Sequence, residues 1–314
     1  MKIVFFGTSN VALPILEALS KSHEILAVVT QPDAKVGRKQ ELQESPVSIL
    51  ATEMKLQVIK YKVIKGNPEV AKKLGSFGAD LFVVVSYGQI LPKEILEMPA
   101  MGCVNVHPSL LPKYRGSTPF VTALLNGETK TGTTIMLMDE KMDEGPIIAQ
   151  EEVLIEPYDN AVTLGDKLSR VSASLLLTVL DKTANGTIPF SQMPQNASQA
   201  TYTKILTKED GKIDWNKTVG EIYNQFRAFY PWPGVWTKWN GKILKLTDCV
   251  LADPDIRNES GSTEDYGKVL RNGVVICGNN TFLQIKSLQL EGKKETSLKD
   301  FLNGNREFVG SRLE

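Results

Sequence analysis

Five apolar residues in a row, Leu81-Phe82-Val83-Val84-Val85, constrain this chain more than any other stretch. A strand with one wet face alternates apolar and polar side chains. An unbroken, mainly β-branched run instead suits burial on both faces, as in a parallel sheet covered by helices. KIVFFG at 2–7 and ILAVVT at 25–30 have the same character. Helical patterns alternate with these runs. One passes through Val11, Ile15, Leu16 and Leu19, a second lies near 45–54, and a third near 67–75 opens with Asn67-Pro68, a capping residue and a first-turn proline. CVNVH (103–107) reads as another strand, and TGTTIMLM (131–138) with PIIAQEEVLI (146–155) as an antiparallel pair. Residues 161–182 form the clearest helix, with Leu164, Leu168, Val171, Leu175 and Val179 at spacings of three and four. This rhythm predicts an α/β fold with an open, mostly parallel, doubly wound, Rossmann-like sheet.

A polar stretch at 191–203 then interrupts the pattern. Beyond it a helix near 217–229 is followed by short strand-like runs, KILKLTDCV, GKVLRNG, GVVICGN and TFLQIKSLQL, separated by Gly and Asn turns. That spacing predicts a small OB-like β-barrel. The 314 residues therefore divide into a first domain at 1–190, a linker at 191–206 and a second domain at 207–314. Lysine plus arginine equals aspartate plus glutamate at 36 each, so no global field advertises a polyanion, although a local basic loop can still dock phosphates. Cys103, Cys249 and Cys277 lack the paired spacing of a zinc site, and no metal is expected. The chain starts directly with a strand and has no apolar run long enough to span a bilayer. A cytoplasmic protein without membrane contact, and a monomer, is the expectation.

Chemistry concentrates in GCVNVHPSLLPKYRG (102–116). Asn105 and His107 lie two residues apart, so both side chains leave the same face of a strand. One is a neutral amide donor; the other takes or gives a proton near neutral pH. Ligands of open α/β sheets gather beyond the carboxyl ends of strands, and Pro108 keeps His107 extended. The turn Gly7-Thr8-Ser9-Asn10 keeps only the first glycine of the dinucleotide pattern and reads as a tight βα turn. In the acidic cluster 139–145, Asp139, Glu140 and Glu144 read as a solvated turn. Asp143 differs if the loop folds back over the sheet edge, where its carboxylate would orient His107 or stabilise its protonated form. Lys35, Arg38 and Lys39, with Gly37, lie in a long loop at 31–46 with the composition to meet nucleic-acid phosphates. The aromatic stretch FRAFYPWPGVWTKW (226–239) reads as a hydrophobic seam between the helix and the second domain.

Together, NVHPSLLPKYRG, TGTTIMLMDEKMDEGPI, TQPDAKVGRKQELQESPV, YGQILP, GKIDW, AFYPWPG and SLQLEGKK closely resemble the motifs of the methionyl-tRNA formyltransferases, in the same order and across nearly the whole chain. The resemblance implies transfer of the formyl group of 10-formyltetrahydrofolate, a co-substrate, to the α-amino group of methionyl initiator tRNA. It implies catalytic roles for Asn105, His107 and Asp143, a folate-binding segment at Ser109, Leu110, Leu111 and Pro112, and a tRNA contact by Arg38. Pro108 and Glu144 depart from the commonest family pattern. HPSLLP and DEGPII lean toward glycinamide ribonucleotide formyltransferases, and an enzyme acting on an amino sugar nucleotide would keep the same three residues. The extended second domain favours the tRNA-modifying members.

Overall fold

The computed structural model describes residues 1–36, 41–184, 193–252 and 265–314. Its contacts form two compact units. One comprises Met1–Phe120, Lys130–Leu154 and Thr163–Lys204; the other comprises Val121–Thr129, Ile155–Val162 and Ile205–Glu314.

The first stretch of chain runs β1 (Lys2–Gly7), α1 (Leu13–Ser22), β2 (Glu24–Thr30), β3 (Ala34–Val36), β4 (Glu41–Gln43), α2 (Pro46–Glu53), β5 (Val58–Lys60), α3 (Pro68–Gly75), β6 (Leu81–Val85), α4 (Lys93–Leu96) and β7 (Cys103–His107). It continues through α5 (Pro119–Leu125), β8 (Lys130–Leu137), β9 (Ile147–Leu154) and α6 (Ala161–Ala184). The sheet order is β5-β2-β1-β6-β7-β8-β9, parallel from β5 to β7 and antiparallel at β8 and β9. The apolar runs are buried on both faces as their composition requires. Ile3, Phe5, Val83, Val104 and Val106 share a core with Ile15, Leu16, Leu19 and Leu176, while Val4, Phe6, Phe82 and Val84 share another with Val70, Leu74 and Ile95. Each such side chain contributes about 1.5–3 kcal/mol by leaving water. Ser45 caps α2 by accepting from the Ser48 N–H, and Asn67 caps α3 by accepting from the N–H groups of Glu69 and Val70. Between β1 and β6 the order of strand addition reverses, which opens the crevice where ligands of such sheets bind.

One local expectation changes. The 31–46 segment is not structureless throughout: β3 and β4 pair antiparallel, with Lys35 opposite Leu42. Arg38 and Lys39, the basic residues singled out there, lie outside the described residues.

The second unit carries α7 (Val219–Ala228), β10 (Val235–Trp239), β11 (Lys242–Leu251), β12 (Val274–Cys277), β13 (Thr281–Leu290), β14 (Thr296–Ser297) and α8 (Leu298–Gly304). Its antiparallel sheet has the order β10-β11-β13-β12, with β14 on β13. Thr218 and Glu221 close α7 with a reciprocal capping box. VWTKW, expected within a hydrophobic seam, is the strand β10, with Val235, Thr237 and Trp239 buried. GKVLRNG forms only isolated bridges at Lys268 and Val269, because Gly267, Asn272 and Gly273 all take positive φ and break an extended run. No helix among the described residues is long and apolar enough to cross a membrane.

Candidate functional site

Asn105 and His107 sit at the carboxyl end of β7, on the face opposite Val104 and Val106, as the two-residue period of a strand requires. On the antiparallel neighbour, Thr134 lies opposite His107 and Met136 opposite Asn105. The third residue reaches them because the loop after β8 doubles back. The Leu137 N–H donates to the Pro146 carbonyl at 3.0 Å, and Gly145 crosses so close to Leu137 that a Cβ there would collide with the Leu137 carbonyl oxygen. Within this loop Asp143 has φ 55°, a left-handed conformation that costs a non-glycine residue energy.

That backbone turns the Asp143 carboxylate inward. Its Oδ1 accepts from Asn105 Nδ2 at 3.2 Å, and its Oδ2 accepts from the Gly116 N–H at 2.8 Å. Among the described residues Asn105 makes this one side-chain hydrogen bond, so its second Nδ2–H is available to a ligand oxygen. His107 is 4% exposed, and its Nε2 lies 2.9 Å from the Tyr114 carbonyl. A carbonyl only accepts, so Nε2 carries the hydrogen. The other nitrogen, Nδ1, is 3.7 Å from Asp143 Oδ1. Asp143 thus faces the nitrogen that is bare in the neutral ring, and it is the Tyr114 carbonyl that fixes the ring's orientation.

Gln195 and Arg115, neither of them among the residues expected to act in the site, complete the cluster. Gln195 Nε2 donates to the carbonyls of Asp143 and Gly145 at 2.8 and 2.7 Å. Its Oε1 accepts from Arg115 Nε and Nη2 at 3.2 and 2.9 Å. Arg115 is buried, and its Nη1 lies 3.2 Å from Glu144 Oε1 and 3.1 Å from the Tyr202 hydroxyl. Glu144, expected as part of a solvated turn, is therefore the ion-pair partner of a buried guanidinium.

The Ser109–Pro112 segment is held by its own neighbours. Ser109 Oγ donates to the Lys113 carbonyl, and Thr134 Oγ1 donates to the Ser109 carbonyl. The Leu111 N–H donates to Thr134 Oγ1, and Gln150 donates to the Leu111 carbonyl. Leu111 packs with Met136 and Ile147, while Leu110 lies over Gly132, where a Cβ would strike it. Ser109 and Leu111 thus face the protein, and Leu110 and Pro112 keep partial exposure.

At the switch point, Thr8 Oγ1 and Gln31 Nε2 both donate to the Tyr87 carbonyl, at 3.0 and 3.2 Å, which ties the YGQILP segment to the end of β1. The other histidine, His23, lines a cleft of about 670 Å³ with Lys2, Glu24 and Asp80 at the opposite, amino-terminal edge of the strands. Burial raises the thiols of Cys103 and Cys277 to about 12 and that of Cys249 further, so none is a ready nucleophile. Among the described residues no three His, Cys, Asp or Glu side chains are grouped to hold a metal.

Residues 1–180 match the Formyl transferase family, and residues 205–306 match the Formyl transferase C-terminal domain. The methionyl-tRNA formyltransferase of Caldicellulosiruptor saccharolyticus is 41% identical over 97% of this chain and 97% of its own length. That of Acidobacterium capsulatum is 41% identical over 100% of this chain and 99% of its own, and that of Staphylococcus aureus 38% identical over 99% of both. Among solved structures, an N-formyltransferase from Helicobacter canadensis, in complex with folinic acid and dTDP-3-aminofucose, aligns with TM-score 0.66 at 21% identity, over 94% of this chain and 100% of that one. HypX from Aquifex aeolicus, in complex with tetrahydrofolic acid, aligns with TM-score 0.62 at 16% identity; the match covers 98% of this chain and 48% of HypX. These two likenesses show the fold. Full-length identity to named enzymes shows the family: the chain is a formyl-transferring enzyme and belongs to the methionyl-tRNA formyltransferases.

Proposed function

We propose that this enzyme transfers the formyl group of 10-formyltetrahydrofolate to the α-amino group of methionyl initiator tRNA, yielding formylmethionyl-tRNA for translation initiation. The observation that carries the mechanism is the convergence of Asn105, His107 and Asp143, with Asp143 Oδ1 3.2 Å from the amide and 3.7 Å from the imidazole. As the amine attacks the formyl carbon, a new N–C bond forms and the carbonyl electron pair moves onto oxygen. The unspent N–H of Asn105 donates to that oxyanion. The Nδ1 of His107 takes the proton released by the amine, and Asp143 faces the imidazolium so formed. Collapse of the intermediate breaks the bond to the folate nitrogen, which receives the proton from His107. The amine has lost a proton, the folate has gained one, and the enzyme is unchanged.

The donor set suits a folate-borne formyl group, because an amide N–H and a titratable ring stand side by side at a strand end. Ser109, Leu110, Leu111 and Pro112 form the folate-binding segment in this reading, with Leu110 and Pro112 the side chains free enough to touch it. Arg38 contacts the tRNA. Residues 1–190 act as the catalytic domain, 191–206 join it to the second domain, and 207–314 form an OB-like tRNA-binding domain. The enzyme works as a cytoplasmic monomer. The test is incubation with 10-formyltetrahydrofolate and charged methionyl-tRNA, scoring acid-precipitable formylmethionine. An amino sugar nucleotide and glycinamide ribonucleotide serve as alternative acceptors. Faster formylation of either small acceptor would overturn the tRNA assignment.

A further inference from the structure

Gln195 is half-buried and uses its entire hydrogen-bonding capacity. Two N–H donors go to the carbonyls of Asp143 and Gly145, and two acceptor positions take N–H groups from Arg115. Carbonyls only accept and a guanidinium only donates, so the amide has one workable orientation. The two carbonyls flank Glu144, whose own side chain pairs with Arg115. A single glutamine thus clamps the backbone on both sides of Glu144, immediately after Asp143 with its positive φ.

The clamp is fastened at several points. Met193 and Ile147 exchange two backbone hydrogen bonds at 2.9 Å. Further along, the Arg115 N–H donates to the Thr201 carbonyl at 2.8 Å and the Thr203 N–H to the Arg115 carbonyl at 2.8 Å, while Tyr202 lies over the guanidinium. The neighbours of Arg115 are the Tyr114 carbonyl, which holds His107, and the Gly116 N–H, which holds Asp143. Residues 193–203 therefore grip both sequences that set the geometry of the site.

Resting on the formyl-transfer reading, we propose that Gln195 is a positioning residue for that reaction. It fixes the Asp143 carboxylate relative to Asn105 and His107 through the backbone of the loop. Replacement by glutamate keeps an acceptor for Arg115 but turns a donor into an anion facing two carbonyl oxygens. The strap then stays attached while its grip on the loop is lost.

The experiment compares wild type, Gln195→Glu, Gln195→Ala and, as a control on an exposed residue of the same segment, Gln199→Ala. Steady-state kinetics with both substrates, a pH profile of kcat/KM, melting temperature and amide hydrogen exchange of residues 139–146 are measured. In Gln195→Glu, kcat falls by about tenfold or more with both KM values within about twofold of wild type. The pH profile of kcat/KM departs from that of wild type, exchange of 139–146 accelerates, and Gln199→Ala matches wild type. A kcat within about twofold of wild type in both Gln195 variants, or a loss matched by loss of folded protein, overturns the proposal. If wild type formylates no acceptor, the formyl-transfer reading falls. Unchanged exchange of 139–146 in Gln195→Glu overturns the clamp whatever the activity.

Discussion

A methyl group placed on Gly145 would strike the carbonyl oxygen of Leu137. This close approach lets the loop after β8 reverse and carry Asp143 back over β7. Gly145→Ala is therefore expected to push the loop outward. Overpacking of this kind costs about 1–3 kcal/mol in stability. A displacement near 1 Å at the carboxylate lowers kcat by about a hundredfold. Chemical denaturation and single-turnover formylation measure the two effects separately, and full activity in a folded Gly145→Ala enzyme would contradict this account of the loop.

Asn105→Ala removes the donor assigned to the developing oxyanion. The expected loss is about 2.7–4 kcal/mol of barrier stabilisation, or about a hundredfold to a thousandfold in kcat, with the fold intact because Asn105 is only partly buried. His107→Ala should show a loss of at least about a hundredfold. Near-normal turnover by either purified protein would sink the mechanism.

Arg38→Ala tests the tRNA contact. Loss of one phosphate contact should raise the KM for methionyl-tRNA, leave that for the folate unchanged, and flatten the dependence of log affinity on log salt by about 0.9 or less. Identical tRNA affinity across the salt series removes Arg38 from the interface.

His23 provides a pH test remote from the chemistry. Burial holds its imidazole below the usual histidine range, the nearby amino-terminal charge adds to this, and Asp181 opposes it. Its Nε2 is buried and has no partner among the described residues. The unfolded chain therefore binds the proton first as pH falls. The His23 contribution is fully present above its ordinary pKa of 6.5 and is lost as pH falls through the lower folded value. Wild-type denaturation midpoints should drop over that window, and His23→Gln should flatten the drop. Equal slopes in the two proteins would assign the effect to other groups.

The thiols should be silent. With Cys103 and Cys277 raised to about 12 and Cys249 higher, iodoacetamide at about pH 8 should leave the native enzyme unlabelled and active, and label it only after denaturation. Rapid labelling of native protein coupled to loss of activity would refute the burial argument.

The parts of this molecule that were legible in its sequence are those whose signal is local. Leu81–Val85 announces a strand buried on both faces because burial demands that composition residue by residue. Asn105 and His107 share a face because strand period allows nothing else. Asp143 was reachable as a conditional, since its role depends on a loop reversal that Gly145 permits but does not advertise. Gln195 was not reachable. It stands in a polar stretch whose composition matches any linker, and its partners are 50 to 80 positions away in the chain. Arg115 had a weak signal, because an arginine inside a motif that folds against a sheet must find acceptors if it is buried. VWTKW was masked by its aromatics, which read as a packing seam although its alternating burial is that of a strand.

The clasp between residues 193–203 and the Tyr114–Gly116 turn also sets the smallest portable version of this catalyst. A fragment ending with α6 would retain Asn105, His107 and Asp143, together with every residue matched by the amino-terminal family segment. It would lack the side chain that braces the Asp143 loop and the stretch paired with Arg115. Anyone grafting this chemistry onto another acceptor-binding module should therefore place the junction after Lys204, where the first compact unit ends.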